Sequence, residues 1–181
     1  MILGALLALA ASGARAAPAW TVDPAHSRLG FDSKIGGIAF SGAFRKWDAS
    51  IAFDPEDLAH STAAVAIDLA SAATGDKDRD GLLPAADWFD TAHFPQARFA
   101  TSTIKSVGPG RYLASGQLTL KGVTRPVSLP FTVTIQGRTA TMTGAVAIDR
   151  SLFNVGAAQF SGEDVVPHAV TVRIAIVARR K

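Results

Sequence analysis

The sequence contains no cysteine among its 181 residues. This absence excludes disulfide bonds, thiol nucleophiles, zinc ribbons and iron–sulfur clusters. Charge of one sign is scarce as well, because 18 Lys and Arg against 15 Asp and Glu leave a formal net charge of +3. Such a small excess predicts no nucleic-acid partner, and the glycine-rich motifs that bind nucleotide cofactors are missing. Stability must therefore come from packing of the apolar residues, which make up 48% of the chain.

The N-terminus carries an apolar run, MILGALLALAA, over residues 1–11. It is too short to span a bilayer, for which about 20 residues are needed. Residues 14–16, Ala-Arg-Ala, then form the small-x-small pattern that signal peptidase recognises, although no Lys or Arg precedes the run. We expect residues 1–16 to be a cleavable signal peptide and residues 17–181 to be the exported domain; the alternative is a buried N-terminal helix.

From residue 20 onward, apolar and polar residues alternate, with turn residues about every 8–12 positions, which is typical of an all-β domain. The clearest run extends from Val127 to Ile135, where Pro130 on the outward-facing set indicates an edge position or a bulge. About eight or nine such runs are present, which is enough to close a barrel. The others lie at residues 29–35, 38–44, 47–53, 63–69, 97–107, 112–120, 142–148 and 170–176.

One stretch, TGDKDRDGLLPAADWF at residues 74–89, lacks the alternation. Asp78 or Asp80 is suitably placed to cap a short helix that carries the pair Leu82–Leu83. Pro84 should end or kink this helix. The sequence therefore predicts one short helical insertion in an otherwise all-β chain.

The same stretch fits the calcium-loop form D-x-D-x-D-G-x5-E, with Asp in place of the final Glu. A proline inside the loop and the shorter reach of the last Asp argue against calcium. The four histidines show no i, i+2 or i, i+4 pairing, so we predict no metal site. The calcium-like residues are Asp76, Asp78, Asp80, Gly81 and Asp87.

The segment Asp23-Pro24-Ala25-His26-Ser27 brings an acid, an imidazole and a hydroxyl close together in sequence. A hydrolytic triad is one interpretation, but neighbours on a strand alternate faces and no G-x-S-x-G elbow is present. A structural hydrogen-bonded turn is the favoured interpretation. Ser102 and Lys105 match S-x-x-K by chance, because the run is strand-like and the partner motifs of that enzyme class are absent.

The inward-facing sets mix bulky and small residues. An eight-stranded barrel with such a mixture either fills its interior or encloses a narrow tunnel for one small ligand, and the alternation alone favours neither. The bulky residues are Phe31, Phe40, Phe44, Phe53 and Phe131, and the small ones are Gly42, Ala49, Ala63, Ala114 and Gly116.

Five ordered motifs resemble those of the YceI-like proteins, a bacterial family. WTVDPAHSRLGF resembles the family's entry into the first strand, and IAFSGAFRKWDASIAFDP resembles its G-x-F hairpin. TGDKDRDGLLPAADWFD with HFPQARF resembles the helical insertion, although Leu82 and Pro84 depart from the pattern. GQLTLKGVTRPVSLPF is close to the signature G-x-L-T-I-K-G-V-T-x-P-V, and IDRSLFNVG is similar to D-R-x-x-F-x-V-G.

The resemblance implies an eight-stranded antiparallel lipocalin-like β-barrel with a short helical insertion, located in the periplasm. It implies a binding protein without catalytic residues, metal or cofactor, whose ligand is an isoprenoid lipid such as a quinone or a prenyl diphosphate. It also implies a homodimer, and a transient membrane contact is a further expectation. We expect the lipid tail to lie among Phe31, Phe40, Phe44, Phe53, Leu118 and Phe131, the head near Arg79 or Trp88, and a bulky residue at Gly116 to block binding without unfolding.

Two other functions remain open at this stage. One is an accessory module that docks on a membrane redox protein, which an exposed apolar patch near the barrel mouth would favour. The other is a lipid-modifying enzyme that uses Asp23, His26 and Arg79, which the lack of an obvious nucleophile disfavours.

Overall fold

The computed structural model describes residues 16–181, so residues 1–15 of the expected signal peptide lie outside the described residues. Within the described range, no helix is both long and apolar enough to cross a membrane. Residues 16–181 form eleven strands: β1 Ala19–Val22, β2 Arg28–Ile35, β3 Ile38–Phe44, β4 Trp47–Ala52, β5 Thr62–Asp68, β6 Ala72–Ala73, β7 Gln96–Gly108, β8 Arg111–Leu120, β9 Val123–Gln136, β10 Thr139–Asp149 and β11 Ala169–Arg180. One α-helix, α1, spans Lys77–Leu82, and short 3-10 helices span Leu58–His60, Leu69–Ser71 and Arg150–Phe153.

The strands close into an antiparallel barrel of eight wall strands. Both β1 and β2 pair with β11, through Val22 opposite Ala178 and Leu29 opposite Ile174, so they are two halves of one wall strand. Strands β3 and β4 form the next interrupted wall strand, and β5 and β6 form the third. Strands β7 to β11 complete the ring. The predicted lipocalin-like barrel is therefore confirmed, and the breaks explain why there are more strands than runs.

The break between β1 and β2 is a hydrogen-bonded turn. Asp23 Oδ1 accepts a hydrogen bond from Ala25 N at 3.0 Å, and Asp23 Oδ2 lies 2.9 Å from His26 Nδ1. The buried Ser27 hydroxyl donates to Val177 O and accepts from Val177 N. These two bonds take the place of backbone hydrogen bonds to β11 where the wall strand is interrupted. The hydrogen bond with His26 lowers the pKa of Asp23. The structural interpretation of this segment is confirmed.

Strand β9 has an open edge at one end of the barrel. Its pairing with β10 runs from Gln136 opposite Thr139 to Phe131 opposite Gly144 and stops there. Residues 123–130 pair with β8 alone among the described strands. Pro130, which lacks an N–H group, lies where the pairing has just stopped, so the predicted edge position is confirmed.

The two ends of the barrel are closed differently. At one end, which we call the plug, the rings of Phe53, Tyr112 and Phe131 pack together. The Phe53 and Tyr112 centroids lie 5.2 Å apart, and those of Tyr112 and Phe131 lie 5.4 Å apart. The opposite end is covered by residues 74–95, which include α1, and residues 154–168; we call these two segments the lid.

Asp76 caps the lid helix α1, because its side chain accepts a hydrogen bond from Arg79 N at 3.0 Å. The sequence-based assignment of the cap to Asp78 or Asp80 was wrong. Asp80 instead accepts bonds from Thr74 N and Thr74 Oγ1, both at 2.6 Å, and so connects the helix to the segment before it. The helix ends at Leu82, two residues before Pro84, as predicted.

Candidate ligand-binding cavity

The interior of the barrel contains a cavity of about 330 Å³, within the range of about 300–1,000 Å³ that is usual for small-molecule sites. Its walls are almost wholly aliphatic and aromatic. Ile67, Val127, Val146 and Val172 face this space, yet they are only half-buried. Inward-facing apolar residues keep accessible surface when the centre of a barrel is empty, so the interior is an open cavity and not a filled core.

Eight of the nine residues proposed from the sequence lie in the cavity wall. Phe53 and Phe131 belong to the plug and form the floor of the cavity, whereas the other six residues lie toward the lid. The structure thus brings these side chains around one space. The eight are Phe31, Phe40, Phe44, Phe53, Arg79, Trp88, Leu118 and Phe131.

The ninth residue, Gly116, is not among the lining residues that the structure describes. A Cβ atom built there would lie 2.3 Å from the carbonyl oxygen of Ala100 and 2.8 Å from Phe99 Cζ. The glycine allows β7 to approach β8 closely beside an irregularity between Thr101 and Thr103. A bulky side chain would displace the backbone of β7, so we expect such a substitution to destabilise the β7–β8 pair, and its effect on binding stays a prediction.

We infer that the mouth of the cavity lies between the β2–β3 hairpin and α1, because cavity-lining residues of both are partly exposed. Ile35 and Leu82 both line the cavity, yet 36% and 50% of their surfaces are exposed. The guanidinium carbon of Arg79 lies 4.3 Å from the centroid of the Phe40 ring, in a cation–π contact across this mouth. Trp88 packs against Phe160 with ring centroids 5.4 Å apart. Arg79 and Trp88 therefore lie at the lidded end, where the sequence analysis placed the mouth.

Sequence reasoning missed Arg150, which organises the second lid segment. Its side chain is only 4% exposed, and burial lowers the pKa of its guanidinium, with nearby carboxylates opposing that effect. The guanidinium nitrogens donate only to backbone carbonyls in the described structure. Arg150 is part of the motif IDRSLFNVG, but nothing in the sequence indicated which groups its guanidinium binds. The acceptors are the carbonyls of Val155, Gly156, Phe160, Gly162, Val166 and Pro167.

Asp87 joins the two lid segments. Its carboxylate accepts hydrogen bonds from Ala158 N at 2.8 Å and Gln159 N at 3.2 Å, and its carbonyl accepts from Gly156 N at 2.7 Å. Asp87 thus has a structural role in place of the calcium-loop role considered above. Among residues 16–181, no group of three or more His, Asp or Glu is arranged to hold a metal ion.

The residues of the hypothetical lipid-modifying enzyme are not brought together. Asp23 and His26 form their pair on the outside of the barrel, where the His26 side chain is 72% exposed. Neither residue is part of the cavity wall. Arg79 instead contacts Phe40, Thr74 and Asp76.

Comparisons with known proteins agree with this architecture. A model of the YceI-like domain matches residues 20–178. A UPF0312 protein of Photorhabdus laumondii is 36% identical over 129 residues, which are 70% of this chain and 66% of that protein. The chain thus matches slightly less than two thirds of that relative's length. A UPF0312 protein of Pseudomonas savastanoi is 31% identical over 72% of this chain and 70% of that protein.

Solved structures share the same barrel architecture. The crystal structure of Burkholderia cenocepacia BcnA is similar with a TM-score of 0.84 and 37% identity, covering 87% of this chain and 99% of that chain. A polyisoprenoid-binding domain from Saccharophagus degradans, implicated in plant cell wall breakdown, is similar with a TM-score of 0.72 over 91% of this chain and 99% of that chain. At 19% identity, the second likeness shows the fold alone. The chain belongs to the YceI-like family.

Proposed function

We propose that the protein is a periplasmic carrier that holds an isoprenoid or a similar amphiphilic lipid inside the barrel, for transport, storage or sequestration. The single observation that carries this proposal is the open apolar cavity, whose inward-facing walls remain half-buried. A quinone and a prenyl diphosphate are the two head-group classes considered. A domain with the same fold is a polyisoprenoid-binding domain, and the proposal extends a prenyl tail to this chain.

Burial of the tail supplies the driving force for binding. Each methylene removed from water contributes about 0.8 kcal/mol, so a few prenyl units give substantial affinity before any head-group contact forms. Ordering a flexible tail opposes this gain. Selectivity for chain length should therefore weaken once the cavity is full.

We place the entrance between the β2–β3 hairpin and α1, with Arg79 and Trp88 near the head group. Exposed aliphatic side chains cluster around this mouth, including Ile38 with 74% and Val165 with 46% of its surface exposed. The hairpin and the lid are connected by a hydrogen bond from Gly36 N to Val165 O at 2.8 Å. An apolar rim of this kind suits a transient contact with a membrane from which a poorly soluble lipid is loaded.

The same rim is the observation that favours the second candidate, an accessory module that docks on a membrane redox protein. Binding to protein-free vesicles would support direct loading from lipid. Binding only to membranes that contain a redox protein would support the accessory role. If a homodimer formed through this rim instead, the apparent molecular mass in solution would increase with protein concentration.

Native mass spectrometry of gently purified protein, followed by organic extraction, tests the carrier proposal. We expect one prenyl lipid per barrel, and we expect Val146→Phe to reduce its occupancy at least tenfold. Val146 lines the middle of the cavity, where it packs against the hydrophobic clusters of both ends. Its neighbour Ala147 is exposed, so Ala147→Phe is the matched control. Empty protein that also fails to take up added lipid would contradict the proposal.

A further inference from the structure

Gly42 leaves a notch in the inner wall of the barrel, and the ring of Phe31 fills it. The two residues are register partners on β3 and β2, so they face the same side of the sheet. A Cβ atom built at Gly42 would lie 2.7 Å from both Cε atoms of Phe31 and closer still to its Cζ atom. Non-bonded carbon atoms keep about 3.5–4.0 Å apart. The tip of the ring therefore occupies the place where any other residue would carry its Cβ atom.

The conflict at this notch differs from the one at Gly116. There, the nearest atom to an added Cβ is a backbone oxygen, which moves only if the strand moves. At Gly42 the three nearest atoms all belong to one side chain, and the backbone is not in the left-handed region that favours glycine. A larger residue at position 42 would therefore displace the Phe31 ring rather than a strand.

The packing around Phe31 directs a displaced ring toward the cavity. Phe40 and Phe44 precede and follow Gly42 on the same inward face of β3, and both line the cavity. The centroid of the Phe44 ring lies 5.4 Å from that of Phe31, so this side of the ring is already filled. Gly42 is not among the lining residues that the structure describes, because the Phe31 ring covers it. A ring that leaves the notch thus enters the space that a ligand would use.

The notch lies midway between the two ends of the cavity. Register pairing places four inward-facing residues in one row across neighbouring strands: Gly42, Phe31, Val172 and Val146. Val146 packs against the hydrophobic clusters of both ends, so the row lies between the plug and the lid. Both valines line the cavity and are only half-buried. The position of the Phe31 ring therefore sets the width of the passage along which the two parts of the cavity communicate.

We infer that Gly42 is a positioning residue that holds the Phe31 ring against the wall and thereby sets the longest tail that the cavity accepts. This inference rests on the proposed function. With the ring in the notch, one prenyl tail extends past the row toward the plug. With the ring in the cavity, only a tail short enough to remain on one side of the row is fully buried.

Three prenyl alcohols that differ only in length test this role: geraniol, farnesol and geranylgeraniol, with two, three and four prenyl units. All three tryptophans line the cavity, so a change in their fluorescence emission measures binding. In the wild type, the affinity should rise with each unit until the cavity is full. Gly42→Ala should weaken geranylgeraniol binding about tenfold or more, because excluding two carbons from the cavity already costs that much. Geraniol binding should change less than about twofold.

Phe31→Leu supplies a rescue that a merely structural role of Gly42 would not show. Leucine lacks the Cε and Cζ atoms that meet the added Cβ. The double variant Gly42→Ala/Phe31→Leu should therefore bind geranylgeraniol as tightly as Phe31→Leu alone.

Gly30→Ala is the matched control, because it makes the same change on the outward face of β2. Its added Cβ approaches the backbone oxygen of Gly42 at 3.0 Å and no ring across the strand pair. The affinity for all three alcohols should stay within about twofold of the wild type. Thermal unfolding of the empty proteins is the second measurement, and Gly42→Ala should retain a cooperative transition because only a side chain moves.

Four results would overturn the assignment of Gly42. These are an unchanged geranylgeraniol affinity in Gly42→Ala, an equal loss for all three alcohols, no recovery in the double variant, and a Gly42→Ala protein that does not fold. Each of them would leave the carrier proposal in place, because the wild type would still bind prenyl alcohols. A wild-type protein that binds none of the three alcohols would overturn the carrier proposal itself, and the role of Gly42 with it.

Discussion

The plug and the lid close the same barrel by opposite means. The plug uses aromatic side chains that pack against one another and against buried residues of β1, β8, β9 and β11. The lid also buries apolar side chains, including Leu83, Phe89 and Val155. In addition, its backbone groups converge on two side chains, Arg150 and Asp87. Side-chain packing connects the plug to the core of the barrel, whereas the lid combines apolar packing with polar contacts. We therefore expect the lid to open at a lower free-energy cost than the plug.

The largest effect should come from removing the plug. Phe53→Ala deletes a ring that contacts both Tyr112 and Phe131, and truncation of a buried Phe costs about 3–5 kcal/mol. We expect the urea midpoint of the whole barrel to fall accordingly. Phe53→Leu is the control and should lose much less, because it keeps most of the apolar volume. If both variants unfolded at the wild-type midpoint, the plug would not be a stabilising core.

An intermediate effect, confined to one end, should follow from Arg150→Met. The carbonyls that Arg150 binds would lose their donor, but the lid can turn them toward water, so we expect a global loss of only about 2 kcal/mol. Hydrogen exchange should accelerate in residues 155–166 and remain slow in β8 and β9.

Arg125→Met serves as the control for Arg150→Met, because Arg125 is exposed and makes one long bond of 3.4 Å to Leu152 O at the same end. It should change stability by less than about 0.5 kcal/mol. Loss of protection throughout the barrel in Arg150→Met would show that the lid and the core unfold as one unit.

The smallest effect should be a loosening of the lid by acid. Hydrogen bonds from Thr74 hold the pKa of Asp80 below its usual value. A lowered folded-state pKa means that the contribution to stability is complete above the unfolded pKa of about 3.9 and is lost as the pH falls through the folded value. We expect cleavage of the lid by pepsin to increase below about pH 4.

Asp32 and Asp149 also have lowered pKa values, each through hydrogen bonds of which that from a serine is the strongest. The informative quantity is therefore the difference between the wild type and Asp80→Asn, in which this part of the pH dependence should disappear. An identical acid profile in the two proteins would mean that Asp80 does not hold the lid.

The barrel could be predicted from the sequence because alternation reports which residues face inward, and the motif IAFSGAFRKWDASIAFDP resembles a family hairpin. The breaks in the wall strands could not be predicted from the sequence. At the break before β2, the Ser27 hydroxyl takes the place of a ladder hydrogen bond by bonding to Val177, which lies 150 positions away. The role of Gly116 depends on the carbonyl of Ala100 across the strand pair. Arg150 was missed for the same reason, because a guanidinium that donates to backbone carbonyls cannot be recognised before those carbonyls are known.

The open edge of β9 has a consequence for the size of the cargo. Along residues 123–130, no backbone hydrogen bond joins β9 to β10 in the described structure, so the barrel wall has a seam between these two strands. Val127 and Leu129 on one side of this seam and Ile148 on the other line the cavity. Moving the two sides apart would break no ladder bond, so we expect the barrel to widen more easily here than at the plug. We therefore expect its calibre to be adjustable at the lidded end and constant at the plug, where the pairing is complete.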